Sequence, residues 1–300
     1  MKRAALIVNP FASAVSEERL AAVEAELRRH LELTVALTER PGHATSLAGA
    51  VADVDAVLVF GGDGLLNEVL NGVDGRLPVG VLPGGRTNVV ARALGFPDDP
   101  VQAARALVAA RPLPITLGRV NRRRFAFSAG IGFDAELVRR VDRLGRRADG
   151  RRPGDAAFVW QAMKLLSAHR GRFEPILEIE ALGRAAFAFV ANSDPYTYAA
   201  GRPLHVAPEA RFELGLDVVA PCSVRAWTIP RLLRYAVSGR GQQHARDILY
   251  AHDLERFEIR CDRPLPLQAD GEDLGDVERA EFVAERRAVS LLRATDTLRR

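Results

Sequence analysis

Residues 58–72 read LVFGGDGLLNEVLNG. The run that leads into them, VDAVLVF (54–60), is apolar and rich in β-branched residues, as a buried strand would be. Gly61, Gly62 and Gly64 then surround Asp63, and LLNEVLNG (65–72) has helical spacing and stops at Gly72. A strand, a glycine turn and a helix start bring backbone N–H groups and a positive helix end to one place, which suits a phosphate. An aspartate there would repel phosphate unless a cation lies between them, or unless the acid holds a basic group or water. The plain alternative is a tight strand-to-helix turn with Asp63 as N-cap, and the tetrapeptide alone leaves both open.

Working outward, AALIVN (4–9) reads as a strand that ends in NPFAS. SEERLAAVEAELRRHL (16–31) has Ser16 as cap, early acids and late arginines, and predicts a helix. LTVALT (33–38) is a strand, PGHATSLAGAVAD (41–53) a loop entering a helix, and PVGVLPGG (78–85) a strand and turn. TNVVARALG (87–95) and PVQAARALVAA (100–110) are helices. Strands alternating with helices predict a parallel sheet covered on both faces, with ligands at the carboxyl ends of the strands. NPFAS, Thr38, GGDG and PGGRTN all fall at such ends.

The texture changes after about residue 112. LPITLGRVNRRRFAFSAGIGFDAE (113–136) reads as strands broken by turns. EPILEIEAL (174–182), RAAFAFVANS (184–193), LHVAP (204–208), LDVVAP (216–221), RFEIRCD (256–262) and LPLQADGE (265–272) read as further strands, mostly antiparallel, as in a sandwich. Helices are predicted near 153–169 and 226–238, and the arginine-rich stretch 139–154 reads as a basic loop. The fold class is therefore an α/β domain over 1–114, a β-sandwich domain over 115–285, and a last segment, 286–300, returning to the first domain.

Three hundred residues exceed most single cores, which agrees with two domains. A formal net charge of +4 suggests an anionic partner, whether nucleotide, membrane surface or nucleic acid, or simply an arginine-rich soluble chain. Cys222 and Cys261 have neither ligand nor redox spacing, the histidines form no zinc motif, and a reduced, cytoplasmic setting follows. MKRAALIVNPFAS reads as a first strand and not a signal peptide, and no apolar run is long enough to span a membrane. No nucleic-acid module is visible.

The glycine turn has company: Asn67-Glu68 just after it, Pro83-Gly84-Gly85-Arg86-Thr87-Asn88 at the next strand end, and Asn9-Pro10 at the first. In this order the residues resemble the diacylglycerol kinase and sphingosine kinase catalytic-domain family of lipid kinases. More distantly they resemble NAD kinases and phosphofructokinases, which share the GGDG turn. IVNP (7–10), GGDGLLNEVLNG (61–72), LPGGRTNVVARALG (82–95), AGIGFDAELV (129–138), FELGLDVV (212–219) and LPLQADGEDL (265–274) carry the likeness along nearly the whole chain. FVANSDPYTYAAGRPLHVAPEA (189–210) does so too.

The resemblance implies a nucleotide-binding α/β domain, a β-sandwich domain and an active site in the cleft between them. It implies ATP along Asn9, Pro10, Phe11, Ala12, Ser13, Thr38, Gly61, Gly62, Asp63, Gly64, Leu65, Leu66 and Asn67, completed by Arg86, Thr87 and Asn88. It implies Glu272 as the base that takes the proton of a lipid hydroxyl, with Asp270 and Asp63 organising Mg²⁺ and water. Acids at i and i+2 of a strand share a face, and like charges together raise one pKa, which suits a base.

Four residues depart from the family pattern. Leu65 and Arg86 stand where threonines are usual, although Arg86 offers a bidentate phosphate donor and Thr87 a hydroxyl. Val89 replaces an aspartate, and Leu214 replaces an aspartate of an accessory metal loop in which Glu213 is the remaining acid.

The implied function is an ATP- and Mg²⁺-dependent kinase for a lipid alcohol such as diacylglycerol, acting peripherally at the inner membrane face, with a homodimer left open. The alternatives are a non-catalytic lipid or nucleotide binder of the same fold, or a kinase for NAD or another soluble alcohol. The seven arginines of 139–152 could rest on anionic lipid or form a solvated loop. PRLLRYAVSG (230–239) suits core packing better than a membrane anchor.

Overall fold

A computed structural model describes residues 1–145, 155–199 and 201–295. The chain divides into two compact units, Met1–Thr116 with Arg287–Arg300, and Leu117–Arg286.

The first unit runs β1 (Arg3–Val8), α1 (Glu17–Arg28), β2 (Glu32–Leu37), α2 (His43–Gly49), β3 (Ala56–Gly61), α3 (Asp63–Gly72), β4 (Val79–Pro83), α4 (Val89–Ala93) and α5 (Pro100–Val108). Its strands are parallel in the order β2-β1-β3-β4: Leu6 pairs with Val35 and with Leu58, and Leu58 with Gly80. The chain's last strand adds beyond β4, where Leu291 pairs with Val79. Every residue of β3 is buried, as a parallel strand covered on both faces must be. Helix α1 packs on α5, and α2 on α3. The Ser16 hydroxyl accepts from Arg19 N at 3.2 Å and caps α1, whose Val23 and Leu27 point into the core. The strand order reverses between β1 and β3. At such a switch point the chain leaves the sheet in opposite directions and opens a crevice at the carboxyl ends. Those ends are Asn9 and Gly61–Asp63.

The second unit is mostly β. Its elements are β5 (Arg111–Val120), whose first residues belong to the first unit, β6 (Arg123–Phe125), β7 (Ser128–Ile131), α6 (Phe133–Asp142), α7 (Asp155–Ala168), β8 (Leu177–Ile179), β9 (Gly183–Ala185), β10 (Ala188–Ala191), β11 (Thr197–Ala199), β12 (Arg202–Leu204), β13 (Leu216–Pro221), α8 (Ile229–Ser238), β14 (Ile248–Leu254), β15 (Arg256–Ala269) and β16 (Glu272–Arg293), whose last residues belong to the first unit. Its ladders are antiparallel: β10 lies between β7 and β13, and β15 pairs with β7, β8 and β16. Phe125, Ile131, Val190, Val218, Ile259 and Phe282 are shared in one buried core.

Several local expectations are corrected here. FDAELVRRVD forms α6, so residues 139–142 of the expected basic loop are helical; 143–145 leave the helix as a turn, and 146–154 lie outside the described residues. Ala135, Val138 and Val141 of α6 recur at helical spacing and are buried, which explains the helix. LHVAP is not a strand, since β12 ends at Leu204 and pairs only with β11. ILYAHDL, whose polar His252 and Asp253 mask the pattern, is strand β14. Residues 226–228 form a single 3₁₀ turn before α8, and no residue of α8 is fully buried. Core packing therefore holds only for its inner edge, where Ile229 and Leu232 rest on the Ala186–Phe187–Val224 cluster. Among the described residues no helix is long and apolar enough to cross a membrane.

Candidate active site

In the first unit, backbone hydrogen bonds tie the carboxyl-end turns together. Asn9 N donates to Phe60 O at 3.1 Å, Ala14 N to Gly84 O at 2.9 Å, and Gly84 N to Gly61 O at 2.8 Å. Thr38, buried just after β2, donates its N–H to Val8 O at 2.8 Å. Asn9 Oδ1 accepts from Phe11 N at 2.9 Å and shapes the NPFAS turn, from which Phe11 projects 66 % exposed. Pro10, Ala12 and Ser13 complete that turn, in which Ala12 N donates to Asn9 O at 3.1 Å.

The two glycine pairs pack backbone on backbone. A Cβ on Gly85 would lie 2.4 Å from the Cα of Gly62, and one on Gly84 2.8 Å from the Cα of Gly61. These glycines are therefore required by packing, whatever they bind. Gly64 is different. It is exposed in the first turn of α3, and a Cβ there would meet nothing within 4 Å. Its open space lies at the first helical turn, where Leu65 N already donates to Gly62 O at 3.0 Å; the N–H groups ahead of it are those a helix leaves without an internal carbonyl, and such groups favour an anion. The residues present therefore fit a phosphate group.

Asp63 proves to be a cap, but of another helix. It is the first residue of α3, and its two carboxylate oxygens accept from Val89 N at 3.0 Å and Val90 N at 3.2 Å, at the start of α4. Helix α4 needs this, because its own N-cap, Asn88, makes no side-chain cap bond. Asn88 instead stands in the left-handed region (φ 50°), takes Gly85 N on its Oδ1 at 2.9 Å and donates to Gly85 O at 3.0 Å, which locks the PGGRTN turn. Burial pushes the Asp63 carboxyl up, against the opposite pull of the Val89 and Val90 N–H groups. The carboxyl group is enclosed although the outer edge of the residue reaches solvent.

Leu65 turns into the core: a Cβ on Gly61 would lie 2.6 Å from its Cδ2. Leu66 and Asn67 are buried too, and Asn67 accepts from Asn71 through its carbonyl and Oδ1. Glu68 caps α2 through Ala44 N at 3.2 Å. Arg86 is exposed and Thr87 half-buried on the PGGRTN turn.

In the second unit, Asp270 and Glu272 do not lie at i and i+2 of one strand. Ala269 pairs with Glu272, and Asp270-Gly271 are the two left-handed residues (φ 48° and 77°) of a hairpin turn. The two acids consequently part company. Asp270 is 8 % exposed and accepts from Ala126 N at 2.6 Å, Phe127 N at 3.0 Å and Ser128 N at 3.1 Å. The Glu272 side chain is 57 % exposed, with Arg123 Nη2 on its Oε2 at 2.6 Å.

Sequence reasoning passed over the groups beneath this turn. Gln268 Oε1 accepts from Gly271 N at 2.9 Å, and Gln268 Nε2 donates to Asp134 Oδ2 at 2.6 Å. Tyr196 O–H reaches the same Asp134 oxygen at 2.7 Å. Burial pushes the Asp134 carboxyl up, and burial followed by the nearby Asp134 charge pushes the Tyr196 phenol well up. Arg139 of α6 clamps the hairpin through Asp273 at 2.7 Å and Asp276 at 2.6 Å. The AGIGFD segment was legible as a landmark, but nothing in its residue types singles out Asp134 until the fold sets Gln268 and Tyr196 against it.

The donor set does not make a metal site. Among the described residues no three His, Cys, Asp or Glu side chains converge. Both oxygens of Asp63 already serve N–H groups, and Glu213 is exposed on its loop. Among the described residues the structure brings no third donor to Asp63 or to Glu213. The loop at Leu214-Gly215 is held by side chains instead: Gly215 N and Arg286 Nη2 donate to Asp253 Oδ1, at 2.6 and 2.8 Å. Asp217, fully buried, receives Asp253 N at 3.1 Å and lies 2.8 Å from His252 Nδ1.

Residues 3–120 match the family described as the diacylglycerol kinase catalytic domain. A diacylglycerol kinase of Bacillus subtilis (strain 168) is 29 % identical over 308 aligned residues, covering 94 % of this chain and 93 % of its own. A diacylglycerol kinase of Staphylococcus carnosus (strain TM300) is 33 % identical over 144 residues, 45 % of this chain and 47 % of its own. Among solved structures, a diacylglycerol kinase from Bacillus anthracis str. Sterne superposes with a TM-score of 0.74 at 20 % identity, over 99 % of this chain and 98 % of that one. An NAD kinase from Archaeoglobus fulgidus, solved with ATP, gives a TM-score of 0.52 at 11 % identity, over 99 % of this chain and 95 % of that one. The fold is therefore shared by both kinds of protein, and the α/β unit followed by a mostly β unit is its form here. Sequence model, relatives and fold agree that this chain is similar to the diacylglycerol kinase catalytic-domain family.

Proposed function

We propose that the chain is an ATP-dependent lipid kinase that moves the γ-phosphate of ATP to the hydroxyl of a lipid alcohol such as diacylglycerol. The observation that carries this reading is the open, side-chain-free space at Gly64, beside the N–H groups of the first turn of α3 and at the switch point of a parallel sheet. The names of the relatives supply the substrate class.

Phosphoryl transfer needs positioning and neutralised charge more than covalent chemistry. The first turn of α3 offers N–H groups to the nucleotide's phosphates, and Arg86 is an exposed cation on the adjoining turn. Magnesium would enter with the nucleotide, on its phosphates and retained waters, rather than on a protein-built cage. Glu272 takes the proton of the acceptor hydroxyl on Oε1 while Arg123 holds Oε2. Asp270 is a positioning residue: it pins the backbone of 126–128 and so fixes the turn on which Glu272 stands.

The test is transfer of labelled phosphate from ATP to a panel of lipid alcohols and, in parallel, to NAD. Labelled lipid is expected, falling by about 10²–10⁴-fold in Glu272→Gln with the fold intact, the usual worth of a general base. Label on NAD and none on lipid would replace this reading with a soluble-substrate kinase. One observation favours a second reading, binding without turnover: the Arg123 tie on Glu272. Nucleotide and lipid binding with no label on any acceptor would establish it.

A further inference from the structure

Helix α8 presents two faces of different character. Ile229, Leu232 and Tyr235 turn inward onto buried clusters. The outward face carries Leu233 and Val237, 59 % and 60 % exposed and four residues apart, and Trp227, 78 % exposed, one turn before the helix. Large apolar side chains this exposed and this close together are uncommon on a surface that stays in water. They are not covered by any described residue.

The segment around this helix is basic. No Asp or Glu occurs between Asp217 and Asp247, while Arg225, Arg231, Arg234, Arg240, Arg246 and His244 all do. Arg225 and Arg231 are engaged by Glu174 and Asp247. Among the described residues no carboxylate meets Arg234, Arg240 or His244. These three line a hollow of about 520 Å³ at the carboxyl end of α8, together with Ser238 and the left-handed Gly241 (φ 107°). Arg234 lies over the Tyr235 ring, 5.5 Å from its centroid, which fixes one wall.

An apolar stripe carrying a tryptophan, bordered by unneutralised cations, matches a bilayer with anionic headgroups. It does not match a second copy of itself, because a two-fold contact would set these arginines against one another with no acid to neutralise them. We propose that the outward face of α8 docks on anionic phospholipid bilayers, with Trp227, Leu233 and Val237 entering the interface and the Arg234–Arg240–His244 hollow taking a headgroup phosphate. This goes beyond the kinase reading and does not depend on it, since the measurement is binding.

The experiment is sedimentation of the full chain with vesicles of phosphatidylcholine, alone or mixed with phosphatidylglycerol. Binding is expected to the mixed vesicles and to weaken with salt. Arg234→Ala with Arg240→Ala should lower the partition about 25-fold, at about fivefold (about 1 kcal/mol) for each arginine. Leu233→Glu should also release the protein, and both variants should keep the wild-type circular dichroism. A second measurement avoids the question of folding. The chain has two tryptophans, so Trp160→Phe leaves Trp227 as sole reporter. Quenching of its fluorescence by brominated lipid is expected. Vesicle binding without quenching, or with full retention in the double arginine variant, overturns the proposal. No vesicle binding, with a dimer that Leu233→Glu dissociates, assigns the face to a second copy and overturns it equally.

Discussion

Two aspartates of the motifs, Asp63 at the head of α3 and Asp270 in the β15–β16 hairpin, each stand just before a glycine and look alike in sequence. Both are expected to organise charge directly. In the structure both spend their oxygens on backbone N–H groups instead, Asp63 on two and Asp270 on three. The difference lies in what each one frees. Asp63 anchors α4 beside a turn whose open position is Gly64. Asp270 anchors strand entry at 126–128 and leaves the next acid, Glu272, in solvent. An acid conspicuous in a motif can thus be the clamp that shapes a turn, while the neighbour proposed above as the base is less conspicuous.

The largest effect on stability should come from Asp270→Ala. It strands three N–H groups in a buried place, and each unpaired buried donor costs about 1–3 kcal/mol before water relieves it; about 3–5 kcal/mol in total is expected by denaturant unfolding. Asp270→Asn keeps an acceptor and tolerates the left-handed backbone, so it should cost about half as much. A loss under about 1 kcal/mol for the alanine variant would mean that the carboxylate is no clamp.

Gly85→Ala comes next. Its methyl would meet the Gly62 backbone at 2.4 Å, and backbone cannot rotate away, so about 2–3 kcal/mol is expected from overpacking. Wild-type stability in this variant would show that the two turns can part, and that the glycines answer to a ligand after all.

Asp63→Asn should cost less, about 1–2 kcal/mol at neutral pH, because one of its two N–H partners keeps an oxygen. The sign of its pH dependence follows from its burial. The Asp63 carboxyl is raised in the folded state above its ordinary 3.8. The folded chain therefore holds this proton more tightly than the unfolded one. Its contribution is fully present below that ordinary value and is lost as pH rises through the folded pKa. Wild type should gain on Asp63→Asn as pH falls from neutral towards 4, and parallel pH curves would contradict the enclosure of this carboxyl.

The sequence made the first unit legible because its signals are local and redundant. A short, β-branched apolar run such as AVLVF that ends in a glycine turn reads as a buried strand, and Ser16 with its following acids caps α1 as read. The second unit was read less well where function follows from pairing at long range. The spacing of Asp270 and Glu272 suggested one face, but a hairpin turn at Asp270-Gly271 sends them apart, and only the Ala269–Glu272 register reveals it. Asp134 was invisible as a candidate because Gln268 and Tyr196 reach it from 134 and 62 residues away. Helix α6 was missed although Ala135, Val138 and Val141 mark its inner face, because the arginines that follow read as loop.

The smallest expected effect is the most discriminating. Gly64→Ala adds one methyl in the first turn of a helix, at a backbone conformation open to any residue, and nothing lies within 4 Å of it. Stability should hold or rise by about 0.4–1 kcal/mol, as for glycine replaced at a compatible helical site. If the space beyond Gly64 is where a phosphate meets the N–H groups of α3, the same methyl should weaken ATP binding about tenfold or more, read by calorimetry, because oxygen and methyl would claim one volume. Gly85→Ala would also weaken binding, but only by first damaging the fold. A glycine variant that is as stable as wild type and poorer in nucleotide binding is the mark of a position kept open for a ligand. Unchanged affinity in Gly64→Ala would move the phosphate away from α3 and reduce Asp63, like Asp270, to a clamp for the backbone alone.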